Sequence, residues 1–119
     1  MTQARGQVAQ ARALLRESLS YARERDVYLA VEVVESLAGV VAAGGAGDIA
    51  ARLWGAASAV RGVEGWPLPP VVRADYDRDV AAARTQFGET AFAAAWAEGR
   101  AMTLEQAIAY ALEDDTTAA

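Results

Sequence analysis

Three groups of residues in this chain have the types and spacing that chemistry would need. Asp75, Asp77 and Asp79 alternate as the acidic ligands of a calcium loop do. Such a loop also needs Gly at its sixth position and a bidentate Glu at its twelfth, and those places hold Val80 and Gln86. Residues two apart on a helix point in different directions, so the three acids do not converge there. The run GGAG at 44–47 precedes a helical pattern as a phosphate-cradling loop would, but no Lys, no following Ser or Thr and no preceding strand accompany it. Arg5, Arg12, Arg16 and Arg23 line up along one helix edge, as a nucleic-acid stripe would. Glu17 and Glu24 interleave with them, so a solvated flank whose Arg stems cover apolar surface is the better reading.

Composition narrows the chemistry further. The chain of 119 residues has no Cys and no His, and all 11 of its cations are Arg. That removes thiol nucleophiles, disulfides, imidazole bases, nearly every zinc site and Schiff-base chemistry. No pair of carboxylates sits in an apolar context that would raise a pKa, so the chain does not read as an enzyme. No cofactor and no metal are expected. The net charge of −5 opposes direct binding of nucleic acid or anionic lipid. Apolar runs are interrupted by Glu32, Glu35 and glycines before reaching the length of a membrane span, and no signal peptide opens the chain. The expected setting is cytoplasmic.

The elements that would position these residues are all helices. Thirty alanines favour helix. Pro67, Pro69 and Pro70, the three prolines, fall within one short stretch. Residues 7–25 repeat Val8, Ala11, Leu15, Leu19 and Ala22 on one face. Residues 27–43 are Val-rich, yet about 17 residues without a turn signal exceed the usual strand of about 5 or 6, so helix is read there. GGAG ends that helix and Asp48 reads as the N-cap of the next, at 49–61. Residues 62–71 form a Pro-rich connector, with Trp66 and Leu68 expected to fold back on the helix pair. Helices follow at about 72–87, 89–101 and 103–113. Thr103 with Gln106 makes a capping box for the last, and the tail EDDTTAA is expected to fray.

Register-matching exposes a repeat. In the pair at 27–61, Val34, Leu37, Ala38, Val41, Gly45, Ala50, Trp54 and Ala57 have the spacing of a tetratricopeptide-type repeat, in which small residues let two helices approach and larger ones fill the gaps. Gly6, Ala11, Leu15 and Ser18 repeat part of that register upstream, and Val80, Ala81, Gly88 and Ala93 repeat part of it downstream. The expected architecture is a single all-α domain over residues 1–119, with antiparallel helix pairs stacked as a short right-handed solenoid of about six helices. Residues 7–25 would form a half repeat, 27–61 a complete one, and 72–113 a degenerate repeat with a cap helix. A half repeat at the start implies that the chain is the C-terminal end of a longer array.

Four stretches carry a more specific likeness: ARALLRESLSYARE, RLWGAASAVRG, PLPPVVRADYDRDVAAAR and AFAAAWAEGRAMTLEQAIAYAL. Together they resemble the C-terminal helical-repeat end of LuxR-type and maltose-activator-like bacterial transcriptional regulators. In that family a nucleotide-binding ATPase, a helical-repeat sensor and a DNA-binding domain are coupled. Neither the ATPase motifs nor a DNA-reading helix is present here, so the resemblance implies only the sensor or scaffold role. The expected partner is a protein, a peptide or the remaining domains of a parent regulator, met through Arg12, Arg16, Glu32, Glu35, Arg52, Trp54 and Trp66. The alternative is a small-molecule pocket lined by Trp54, Trp66, Tyr76 and Trp96. The helix at 7–25, lacking a partner helix, is expected to dimerise.

Overall fold

Each helix boundary in the computed structural model has a local cause. The structure describes residues 2–118, and the side chains of residues 6–112. Six α-helices follow one another: α1 (Thr2–Ala22), α2 (Val27–Ala43), α3 (Gly47–Glu64), α4 (Pro70–Phe87), α5 (Glu89–Arg100) and α6 (Leu104–Ala118). The described chain contains no strand.

Asp26 starts α2 by accepting a hydrogen bond from the Leu29 N–H at 3.1 Å. At its other end the Ala46 N–H returns to the Val41 carbonyl and the Gly45 N–H to the Ala42 carbonyl, the paired bonds of a Schellman turn. Gly45 takes the left-handed φ of 94° that this turn demands. The turn delivers the chain straight into α3, so Ala46, not Asp48, stands at the N-cap, and Asp48 lies inside the first turn. There its carboxylate still meets the positive end of the helix.

Other boundaries also differ from expectation. Helix α1 stops at Ala22 rather than at 25, because residues 23–25 form the turn that places Asp26. The Pro-rich connector shrinks to residues 65–69: α3 continues to Glu64, and Pro70 sits in the first turn of α4, where its missing N–H costs nothing. Helix α6 runs to Ala118, past the expected end at 113. Its start is as expected, with reciprocal bonds from the Gln106 N–H to Thr103 Oγ1 (3.1 Å) and from the Thr103 N–H to Gln106 Oε1 (2.9 Å). Between α4 and α5 a single residue, Gly88 at φ 106°, reverses the chain.

Packing is centred on α3, which meets α2, α4, α5 and α6. Leu37, Leu53, Trp54, Phe92 and Ile108 are among its largest buried side chains. The interface of α3 with α5 is the most extensive, and the reason is two glycines. A Cβ on Gly55 would strike the Trp96 carbonyl oxygen, and one on Gly99 would strike the Arg52 carbonyl oxygen. Backbone therefore lies on backbone at this crossing. Polar ties flank it: Arg52 Nε donates to Glu98 at 2.7 Å, and Arg100 donates to Ser58 at 3.3 Å.

Helix α6 turns back onto α1, α2 and α3, so the first and last helices touch. The radius of gyration, 13.3 Å, is accordingly that of a closed globule of this length, about 13.5 Å. Helix α4 is the least covered of the helices between α1 and α6. Among its residues only Val80 and Ala83 are buried, while Val71 and Val72 are exposed. That thin cover leaves an open groove between α4 and α2.

Candidate functional site

The groove between α2 and α4 begins at an ion pair. Arg61, in the last turn of α3, points under the connector and is 7% exposed. Its Nε donates to Glu35 Oε2 at 2.6 Å and its second terminal nitrogen to Oε1 at 2.9 Å, a two-pronged match of guanidinium to carboxylate. The remaining terminal nitrogen donates to the carbonyl oxygens of Trp66 and Pro67 at 3.2 and 3.4 Å. The Arg61 guanidinium also lies 5.4 Å from the centre of the Tyr28 ring, which meets Trp66 edge to face at 5.0 Å. The hydrogen bonds to Glu35 raise the Arg61 pKa above the ordinary guanidinium value, against the opposing effect of burial. The arginine therefore stays charged, and its charge is spent on holding α2, α3 and the connector together.

Two recesses open from this pair. One, of about 370 Å³, is bounded by Arg61, Glu35, Ser58, Trp66, Leu68 and Tyr76. The other, of about 520 Å³, runs on between α2 and α4 and shares Glu35, Arg61, Leu68 and Tyr76 with the first. A third, of about 320 Å³, continues from Gly39, Ala43 and Asp79 toward Gln86. The three form one groove. Its lining mixes small or apolar residues, Gly39, Val40, Ala43 and Val72, with the acids Glu32, Asp75 and Asp79. Tyr76, half-buried at the junction, packs edge to face on Trp54 at 6.2 Å. Burial pushes its phenol up to about 12, and the negative charges of Glu35 and Asp77 push in the same direction.

The residues expected from sequence are divided among three places. Glu32 and Glu35 reach the groove, Glu32 exposed and Glu35 paired. Trp54 is buried at the base of the groove, and Trp66 closes its connector end as a half-buried cover over Tyr28. Arg52 lies on the far side of α3, where it binds Glu98 on α5 and donates to the Tyr110 hydroxyl on α6 at 3.0 Å. Its pKa is raised, first by the Glu98 hydrogen bond. Arg12 and Arg16 lie in the crevice between α1 and α6, where Arg16 donates to the Ala111 carbonyl at 3.0 Å. The side chain of Arg5 lies outside the described residues. Of the four aromatics considered for a pocket, Trp54, Trp66 and Tyr76 meet the groove, while Trp96 packs on Phe92 at 5.8 Å, over the α3–α5 interface.

Arg61, which ties α2, α3 and the connector together at the head of the groove, is not among the residues expected from sequence. Its signal was present: one cation, Arg61, within the apolar run AASAVRGV, and in VEVVESLAGVV two acids, of which Glu35 lies deeper in an apolar helix than an unpaired charge would. Among the described residues no group of acids is arranged to hold a metal ion. No described helix is long and apolar enough to cross a membrane.

Six helices around a glycine-tight crossing, with an open groove on one side, define an all-helical scaffold. Over 109 residues, 91% of its length, the chain is 35% identical to mycobacterial proteins that carry the provisional name of HTH-type transcriptional regulator, one from Mycobacterium bovis and two from strains of Mycobacterium tuberculosis. The likeness is to transcriptional regulators, and the chain spans 12% of the length of each. No protein-family model matches the chain. No solved structure matches it at a significant level.

Proposed function

We propose that this chain is a non-catalytic recognition segment of a bacterial transcriptional regulator, of the LuxR-type or maltose-activator-like kind. Its α2–α4 groove would hold a protein segment. The observation that carries this reading is the groove itself. It runs the length of two helices, its walls are not used up by the fold, and it opens on the side where α4 has least cover. In a helix-pair stack this is the face shared by the first helices of successive pairs, which suits a partner that lies across several pairs. Mycobacterial regulators matched along nearly the whole chain support the setting. Tyr76, whose phenol burial pushes up to about 12, stays protonated near neutral pH and does not serve as a base there.

A single thiol tests it, because the chain has no Cys of its own. Ser36→Cys, exposed at the groove edge, would carry an environment-sensitive fluorophore. Overlapping peptides covering the remainder of a mycobacterial relative are then titrated in. A response from one segment, abolished by filling the groove with Gly39→Phe, is expected. No response from any segment overturns the reading.

A second reading, a small-molecule site, is favoured by one observation. The recess of about 370 Å³ has an aromatic wall of Trp66 and Tyr76 beside a charged pair, the mix of apolar lining and a few fixed polar groups that ligand pockets use. Quenching of Trp66 fluorescence by a metabolite, absent in Trp66→Phe, would support it over the first.

A further inference from the structure

We infer that the occupant of the α2–α4 groove is a basic protein segment, whose Arg or Lys side chains meet Glu32, Asp75 and Asp79. This inference rests on the groove being the recognition surface, and it adds the chemistry of the partner. Charge complementarity carries it. The groove is lined by four carboxylates, Glu32, Glu35, Asp75 and Asp79, against one guanidinium, and that guanidinium, Arg61, is already matched to Glu35. Three acids therefore line the groove with no further cation among its lining residues. Arg78 reaches Asp75 at 3.0 Å and Asp79 at 4.0 Å from the solvent side, but Arg78 and Asp75 are each 71% exposed. Pairs so exposed are held weakly and exchange readily for an incoming guanidinium.

The floor is shaped for a chain rather than a point ion. Gly39 lies in mid-helix, where glycine costs α2 stability. Neither a positive φ nor close packing requires it, since a Cβ there would approach only Asp79 Oδ2, at 3.9 Å, an ordinary contact. What the missing side chain does provide is depth along the groove, between the acids of α2 and those of α4. The apolar lining residues Val40, Ala43 and Val72 give the stems of long cationic side chains a surface to lie on. Tyr76 adds a ring on which a cation can rest.

The test uses the full chain and a fluorescently labelled peptide of about 12 residues, long enough as a helix to follow α2 along the groove. The peptide carries Arg at every fourth position on an Ala background, and matched peptides carry Gln or Glu in its place. Anisotropy should show the Arg peptide binding about tenfold or more tightly than the Gln peptide, and weakening steeply as salt rises from about 0.05 to about 0.5 M. Glu32→Arg and Asp79→Arg, both exposed, should each weaken it about tenfold, while Glu17→Arg on α1 should not. The double reversal should gain binding of the Glu peptide, which an unfolded variant could not do. Equal binding of the Arg and Gln peptides, both lost in Gly39→Phe, overturns the charge inference and leaves the groove reading standing. Binding of neither peptide, or binding indifferent to Gly39→Phe, overturns both. Displacement by spermidine at matched charge concentration would overturn a protein occupant in favour of a small polycation.

Discussion

At the scale of single residues, the Arg61–Glu35 pair decides most. Two charges taken from water stabilise a fold only when each satisfies the other, and here the guanidinium also satisfies two connector carbonyls. Removing one partner leaves the other buried without compensation. Arg61→Ala should therefore destabilise the chain by about 3 kcal/mol, measured by urea denaturation, and Glu35→Gln by less. Replacing both by Met and Leu should restore most of the loss; a double variant as weak as Arg61→Ala would show that the connector bonds matter more than the pair. Tyr76 gives a pH signature. Its folded pKa of about 12 lies above the ordinary 10.0, so the neutral phenol is the form the fold prefers. Stability from this group is fully present below pH 10 and is lost as pH rises through about 12. Tyr76→Phe should flatten the fall in melting temperature across that window while changing little at neutral pH.

At the scale of elements, the α3–α5 crossing is the joint with no slack. Gly55 and Gly99 each face a carbonyl oxygen of the opposite helix, so an added methyl must push backbone and not a movable side chain. Gly99→Ala and Gly55→Ala should each cost about 3 kcal/mol, the upper part of the range for overpacking. Gly62, also in α3, has nothing within 4 Å of its notional Cβ, and Gly62→Ala should stabilise by about 0.5–1 kcal/mol through helix propensity. Chemical denaturation of the three variants compares them directly, and equal effects would remove the close crossing as the cause. The run WAEGR at 96–100 thereby acquires a physical meaning: Trp96 packs on Phe92, Glu98 takes Arg52, Gly99 permits the approach and Arg100 reaches Ser58. The capping box is a smaller local joint, and Thr103→Ala should cost about 1 kcal/mol.

For the whole molecule, the question is which faces remain open. Of the apolar face of α1 expected to seek a partner, Leu19 and Ala22 are buried within the chain, while Val8, Ala11 and Leu15 are half-buried. Other apolar side chains stay exposed: Leu14 at 61%, and Tyr21 at 59% and Leu29 at 37%, the last two lining a shallow hollow between α1 and α2. Association is expected through these side chains, of which Leu14 and Tyr21 belong to the helix first expected to dimerise. Light scattering should show a dimer at high concentration that Leu14→Glu or Tyr21→Glu returns to monomer, whereas a wild-type monomer throughout would sink it.

Helix number, order and type were legible in the chain because they rest on local causes. Alanine content, apolar spacing, the glycine turn at 44–47 and the Thr103–Gln106 box each act within a few residues. Trp54 and Ala57 as packing residues were legible for the same reason, since their helical period places them on one face. The pairing of Arg61 with Glu35 was not, because it joins residues 26 apart through the path of the connector. Nor was the service of Arg52 to α5 and α6 in place of a partner, or the return of α6 onto α1. Periodicity says which side of a helix is apolar, but not which helix will cover it. The sequence by itself therefore determined six helices and their inward faces. Only the tertiary structure decided that α4 would be thinly covered and the acids of α2 and α4 brought to one groove, because that depends on which helices pack against which across long stretches of chain.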